Sequence, residues 1–513
     1  MDHYGVISVI PTILIIVLAW RTKQVMPSII IGVFLGATVI NDYNPFIGVL
    51  RTFDHYIVDS IADSWNISIL FLNFAFGGMI AIIAKAGGMN SLGNGIASKA
   101  KTVRNTQFAV WLAGVIIYFD EIFNILIIGN TMRSVTDRFR ISREKLAFFI
   151  DTTGSAVTSL VPLSTWVAFE VGLVHDAFES MNVDTNAFQA LVKSIPFRFY
   201  SIFVILIPLI ILFTKREFGP MRKAEIRARK TGKVLADNAI PLATEEIDSY
   251  QEEGEKHLTT LDTVLLILFM IVITILGLFY SGGGMAAGSL ADAFGNADAA
   301  KALVWASVSG SIVAGALVYF KGVMKFDNIL NTWINGAKSI LFANMIIVLA
   351  WSLGSITSDL GTAGFLIGIT DGVLTPKLIP LLVFLVATVT AFATGTSWGT
   401  MAILMPIAVP MAYTLGGPLS PAIASVLTGS IFGDHCSPIS DTTILSSMAS
   451  GCDHMDHVKT QIPYALLGAV VAGVIGFLPA GFGVSSLILL PLGIIVMILV
   501  FRVIGKPVKD SYS

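Results

Sequence analysis

What most constrains this chain is a series of apolar stretches about as long as a bilayer is thick. A hydrocarbon core of about 30 Å takes roughly twenty residues of helix. Such stretches lie at 4–20, 25–40, 63–84, 145–173, 191–213, 262–280, 302–320, 336–354, 421–447, 461–480 and 484–503, with two more at 106–131 and 378–413. Of 513 residues 55% are apolar and 13% charged, against about a quarter charged in a soluble chain. No globular core could hide that much apolar surface, so the chain reads as an all-α polytopic membrane protein. A net charge of −2 excludes nucleic-acid binding through a basic surface. Two cysteines, Cys436 and Cys452, exclude a disulfide framework and a four-thiolate metal centre. The first stretch has no basic region before it and reads as a retained helix, not a signal peptide.

Loop charge gives a topology, because Lys and Arg concentrate on the cytoplasmic side. Lys85, Lys99, Lys101 and Arg104 precede 106–131, and Arg133, Arg138, Arg140, Arg143 and Lys145 follow it. Both loops belong inside, so 106–131 enters and returns as a re-entrant hairpin. The span 145–173 then crosses to an acidic outer loop with Asp176, Glu179 and Asp184, and 191–213 returns to a charged segment at 214–260. A solvated cytoplasmic linker is expected there, a regulatory lid being the other reading. By the same count 378–413 is a hairpin entering from outside, and Arg502, Lys506 and Lys509 fall inside. The expectation is a multi-pass protein of the cytoplasmic (inner) membrane, N-terminus outside and C-terminus in the cytoplasm.

The two halves repeat in opposite orientation. Pro162-Leu163-Ser164-Thr165 resembles Pro438-Ile439-Ser440-Asp441, and at the same offset of 276 residues Asp120 falls on Thr396. Transporters use two inverted repeats to build a midplane site open to alternate sides. The division that follows is scaffold helices at 1–84, a first repeat at 85–213, the linker at 214–260, further scaffold helices at 261–354, a second repeat at 355–482 and a last helix and tail at 483–513. Each repeat carries a re-entrant hairpin and a broken transmembrane helix.

Polar residues in these stretches are the candidates for function, since a carboxylate at mid-bilayer costs on the order of 3 kcal/mol. The first hairpin tip holds Asp120, Glu121 and Asn124, and the first broken span holds Asp151 and Ser155. The second tip offers Thr396 and Ser397, and the second broken span offers Asp434, His435, Ser437, Asp441 and Thr442 around Pro438. Proline frees an upstream carbonyl, and hydroxyls and carbonyls give the neutral oxygens a hard cation such as Na⁺ takes. Asp441 also reads as a helix cap, Asp151 as an interfacial acid, and His435 as either a proton carrier or a packed ring. Gly395-Thr396-Ser397-Trp398-Gly399 fits a hydrolase nucleophile elbow, but a membrane stretch lacks the strand that motif needs. Asp434 lacks the glycine two residues earlier that intramembrane aspartyl proteolysis would want. Asp453-His454-Met455-Asp456-His457 reads as an interfacial cluster, with a pH sensor as the minority view.

The run from Gly429 to Pro463, with Gly433-Asp434-His435-Cys436-Ser437-Pro438-Ile439-Ser440-Asp441-Thr442-Thr443, resembles the signature of the NhaC family of Na⁺/H⁺ antiporters. Thr394 to Thr400, Phe119 to Asn124 and Arg140-Ile141-Ser142-Arg143 are similar to that family too. The resemblance implies an elevator-type ion transporter, not an enzyme, that needs no cofactor beyond Na⁺ and H⁺ as transported ions. On this reading Asp434 and Asp120 exchange Na⁺ for H⁺, with Na⁺ held by Asp120, Asn124, Thr396, Ser397 and Asp434. The alternative is a Na⁺-coupled carrier of an amino acid or small carboxylate. Beyond Lys145 at the boundary, no Lys or Arg lies within the tips or broken spans, which argues against a multiply charged anion. The expected partners are membrane lipid, small ions or a small organic solute, and a second copy of the chain.

Overall fold

A backbone in hydrocarbon must satisfy its own N–H and C=O groups, so the apolar stretches become helices. The computed structural model describes all residues except 1–3, 23, 99, 163, 184, 242–255, 288–292, 294–296, 363–364, 366–374 and 509–513. Among the described residues seven helices are long and apolar enough to cross a membrane. Two bent pairs bring the count to nine: Arg143–Leu160 with Thr165–Glu179 at 49°, and Ala187–Phe197 with Phe199–Thr214 at 45°. Gly5–Ala19 and Val25–Ile40 are shorter apolar helices. The chain is an all-α polytopic membrane protein with broken helices. Asp184, Lys99, Lys509 and the acidic part of the linker lie outside the described residues.

The two halves match in element length as well as in sequence. Glu121–Arg138 and Ser397–Thr414 are both 18 residues long and start 276 residues apart. Arg143–Leu160 and Leu419–Cys436 share that length and that offset. The breaks that follow end at Ser164 and Ser440, the residues before the helices Thr165–Glu179 and Asp441–Ser450. Each 18-residue tip helix is preceded by an arm, Val103–Ile116 in the first half and Ile379–Thr394 in the second. The second arm packs closely on Leu419–Cys436 because two glycines face it. A Cβ on Gly429 would stand 2.8 Å from the Phe384 carbonyl oxygen, and one on Gly433 2.5 Å from that of Thr388. Small residues let membrane helices approach backbone to backbone in this way.

Contacts between loops sort the ends of the helices into two faces. On one, Leu258 bonds Ala86, Arg143 bonds Val234, Ile240 bonds Asp453, and Arg216 and Glu217 pair with Pro507 and Lys506 in a two-stranded ribbon. On the other, Tyr4 bonds Leu360, Ser358 bonds Ser180, Asn186 bonds Ala297, and Tyr56 bonds Asp359.

Three expectations differ from the structure. The helix drawn over 336–354 is Leu341–Asp359, because Phe326–Ser339 forms a separate amphipathic helix before it. The span 191–213 is not straight: it bends at Arg198, next to Pro196. The linker is not solvated throughout, since Gly219–Thr231 is a docked helix. Its Glu225 is fully buried beside Lys145 (3.4 Å) and Arg229 (3.2 Å) and accepts from the Ser142 amide (2.8 Å). Lys145 also pairs with Glu217, and Arg227 with Glu144 (2.8 Å).

Candidate functional site

The two helix tips and the two helix breaks meet in the interior. At the first tip Asp120 caps Glu121–Arg138, as an Asp at this position does for orphan amides. Its Oδ1 accepts from the amides of Ile122 (3.0 Å) and Phe123 (3.2 Å). Its Oδ2 accepts from the Thr165 hydroxyl (3.2 Å), and the Thr165 amide donates to the Phe119 carbonyl (2.9 Å), so the first tip is tied to the first break. Asn124 donates to the carbonyls of Gly114 and Ile117, both at 2.7 Å, which closes the tip.

The second tip has the same design with a neutral cap. Thr396 accepts from the Gly399 amide (3.4 Å), and Gly395 turns the chain at φ +69°. A Cβ on Gly395 would lie 2.9 Å from the Ile439 carbonyl oxygen, so this tip sits on the second break. Within that break Ser437 donates to Phe392 O (2.9 Å), while Ser440 caps Asp441–Ser450 by accepting from the Thr443 amide (3.4 Å). Asp441 is therefore the first helical residue, not the cap. It accepts from the Thr442 amide (2.8 Å) and is exposed, whereas Asp120, Glu121 and Asp434 are buried.

The tips are linked by Trp398 Nε1, which donates to Glu121 Oε1 (3.3 Å). Trp398 is held by edge contacts with Trp166 and Phe169, at 5.3 and 4.5 Å between ring centres. Glu121 lies within electrostatic reach of Asp120, Asp434 and Asp441. Asp434 stands beside the hydroxyls of Ser397 and Ser440. Three buried oxygens here, Glu121 Oε2, Asn124 Oδ1 and Asp434 Oδ1, have no hydrogen-bond partner among the described residues. Each such vacancy in a native interior calls for a reason. Of the expected residues Ser155 is buried in the first broken helix; its neighbour Gly154 faces the Glu121 backbone, with 3.7 Å from a built Cβ to Glu121 O.

His435 turns away from the tips. Its ring nitrogens meet Thr152 Oγ1 (3.1 Å) and Tyr200 OH (2.7 Å), and Nε2 is 4.0 Å from Asp151. Asp151 is the hub of a second buried cluster: it accepts from Ser446 (3.2 Å), Thr443 (3.3 Å) and Gln461 (2.6 Å), and His457 is 3.7 Å away. Asp151 is thus buried inside the protein. His457 is buried as well and bonds Ser447 (2.9 Å), while half-buried His454 bonds the same hydroxyl (3.1 Å). Among the described residues no group of three His, Cys, Asp or Glu side chains could together hold a metal ion.

Sequence reasoning passed over several of these partners. Trp398, Thr165, Tyr200 and Gln461 are ordinary in apolar stretches and gain meaning only from what they face. Arg198 carried a signal, a cation inside an apolar run. Its guanidinium pairs with Glu170 (2.8 Å) and donates to the carbonyl of Ser159, at the end of the first broken helix. A cation does stand beside that break, neutralised by its partner.

Several helices crossing a membrane, two of them broken, around a buried acidic centre define a multi-pass transport protein, not an enzyme. The Na⁺/H⁺ antiporter family model matches residues 157–482, and the chain belongs to that family. It is 28% identical over 496 residues to an uncharacterized protein of Haemophilus influenzae, covering 94% of this chain and 92% of that one. A 71-residue segment, 13% of this chain and 15% of the other, is 38% identical to the malate-2H⁺/Na⁺-lactate antiporter of Bacillus subtilis. In fold it is similar to the Alcanivorax borkumensis YdaH transporter, with a TM-score of 0.55 at 14% identity over 85% of this chain and 90% of that one. Neisseria gonorrhoeae MtrF, of a class of antimetabolite efflux pumps, gives 0.54 at 14% identity, with 84% of each chain covered.

Proposed function

We propose that the protein exchanges Na⁺ for H⁺ across the cytoplasmic membrane at the site between the tips. The observation that carries this reading is the kind of vacancy the site holds. Glu121 Oε2, Asn124 Oδ1 and Asp434 Oδ1 are all acceptors, so a cation or a proton satisfies them and an anion does not. Hard cations take oxygen ligands, and Ser397, Thr396, Ser437 and the carbonyls freed at the break add neutral ones. An empty ionised carboxylate in this setting is costly, so the site holds either ion and resists standing vacant; competition couples the two flows. Asp120 has spent its oxygens on the cap and on Thr165, which favours Glu121 and Asp434 as the exchanging pair and leaves Asp120 to hold the tip in place.

Two inverted repeats with re-entrant hairpins fit the shared offset of their helices and the two-faced sorting of the loops. The linker's contacts with Asp453 and with the C-terminal ribbon agree with all three being cytoplasmic. In this reading the tips and breaks form the moving unit of an elevator, and 1–84 and 261–354 its scaffold. Trp166 Nε1, an unpaired buried donor beside Trp398, supports a second reading, a carboxylate solute carried with the cation. Thermal stability separates them. Na⁺ should raise the melting temperature of purified protein, as any ligand of the folded state does, and Glu121→Gln should abolish that rise. Stabilisation by lactate or malate and not by Na⁺ would favour the solute reading.

A further inference from the structure

Next to Asp151, two histidines face one hydroxyl. His454 and His457, on the helix His454–Val471, meet Ser447 Oγ of Asp441–Ser450 through their Nδ1 atoms, at 3.1 and 2.9 Å. The far nitrogen of each ring has a fixed role. His454 Nε2 lies 2.7 Å from the Pro438 carbonyl, which can only accept, so this nitrogen carries a hydrogen. His457 Nε2 lies 2.8 Å from Gln461 Oε1. Gln461 is held that way round because its amide nitrogen donates to Asp151 (2.6 Å) and to the His435 carbonyl, so His457 Nε2 is a donor too. In neutral rings both Nδ1 atoms are then acceptors. Ser447 has one hydrogen to offer them, and the Thr443 carbonyl, 2.8 Å away, competes for it. One added proton removes the conflict: an Nδ1–H on either ring donates to Ser447 Oγ, whose own hydrogen then serves the other ring.

We propose that His454 and His457 share one proton across Ser447 and pass it between the loop face and the core. His454 is half-buried next to Asp453, where the linker docks, while His457 and Ser447 are buried. In the inward step the His454 Nδ1–H bond breaks toward Ser447 Oγ as the Ser447 O–H bond breaks toward His457 Nδ1; the charge moves one ring inward and no group is consumed. Asp151, 3.7 Å from His457 Nε2, supplies the countercharge, and among the described residues it pairs with no Lys or Arg. The other polar and charged groups nearby are engaged elsewhere. Arg143 pairs with Asp137 (2.8 Å), Glu144 with Arg227 (2.8 Å) and Asp456 with Lys459 (3.9 Å). Asp453 caps its helix, Arg133 stands beside Gly451, and His435 is bonded to Tyr200 and Thr152. Asp151 lies within electrostatic reach of Asp434, so a proton brought here is felt at the tips. That this proton is the one exchanged for Na⁺ rests on the reading above; that the two rings share it does not.

The test uses the purified full chain with ¹⁵N-labelled histidine, in which each ring nitrogen's signal reports whether it carries a proton; His454→Gln and His457→Gln assign the signals. From about pH 8 to pH 5 both Nδ1 signals should move in one step, each through only part of a lone imidazole's change. Ser447→Ala, which removes only the bridging hydroxyl, should split that step in two. A full change confined to one ring, independent midpoints in the native chain, or a His457 signal that never moves overturns the proposal, even where Ser447→Ala fails to fold. In proteoliposomes, folded Ser447→Ala should slow Na⁺-driven proton efflux at least threefold, and more so as pH rises, while Na⁺ still raises its melting temperature. Unchanged efflux overturns the route. If Na⁺ fails to stabilise even the native chain, the tip reading fails and the shared proton stands on its signals.

Discussion

Glu121 has one carboxylate oxygen held by an indole and the other by nothing among the described residues, and this asymmetry sets what single substitutions should do. Trp398→Phe keeps most of the ring packed on Trp166 and Phe169 and removes only the N–H. The freed oxygen loses a hydrogen bond to a charged or protonated partner, a difference of about 1–2 kcal/mol, so the Na⁺ concentration for half-maximal exchange should shift roughly five- to thirtyfold with the melting temperature nearly unchanged. Exchange in proteoliposomes at graded Na⁺ measures it, and an unaltered Na⁺ dependence would remove Trp398 from the site. The acids themselves were legible in the sequence, because charge in an apolar stretch is expensive and must have a use. Their division of labour was not. Asp120 and Glu121 are neighbours with the same chemistry, and which of them has oxygens to spare depends on Thr165 and Trp398, 45 and 277 residues away.

At the scale of elements, the site depends on two tips being seated on two breaks. Gly395 does this at the second tip, in a left-handed turn against Ile439. Gly395→Ala adds about 1–2 kcal/mol of backbone strain and a methyl group where the Ile439 carbonyl stands. Expected outcomes are a melting temperature lower by several degrees and a loss of exchange larger than that destabilisation explains. At the first break, Arg198 and Glu170 form a buried pair, 1% exposed each. Removing one partner strands the other, at a cost of about 3–5 kcal/mol. Arg198→Met should be poorly folded and Arg198→Met/Glu170→Met should recover most of the stability, as a double-mutant cycle by thermal melting would show. The breaks were readable from proline and the 276-residue offset. The bend at Arg198 was not, since its polar signal looked like a lapse in a span and its partner lies on another helix.

For the whole molecule, the loops on one face are joined by the docked helix Gly219–Thr231, whose anchor is Glu225. Burial raises this carboxyl, but Lys145, Arg229 and Ser142 outweigh it and hold it below its ordinary value of 4.5. A group lowered on folding adds stability above its unfolded value and loses it as pH falls through the folded one. Hydrogen-exchange protection along Gly219–Thr231, corrected for the intrinsic amide rate at each pH, should therefore be high above about pH 4.5 and fall on acidification below it. Glu225→Gln should show the low protection at neutral pH; equal protection in both proteins would dismiss Glu225 as the anchor. Composition alone placed the chain in a membrane, while the docking escaped it: a run of mixed charge reads as solvated until its partners, Lys145 and Glu144 at the foot of a membrane helix, are seen beneath it. The central claim, one buried site shared by Na⁺ and H⁺, is tested most directly in liposomes with an acid interior, by adding Na⁺ outside and following internal pH with a dye. The account predicts Na⁺-driven proton efflux that Asp434→Asn and Glu121→Gln each abolish in folded protein. Efflux that survives both substitutions, or that never responds to Na⁺, would contradict it.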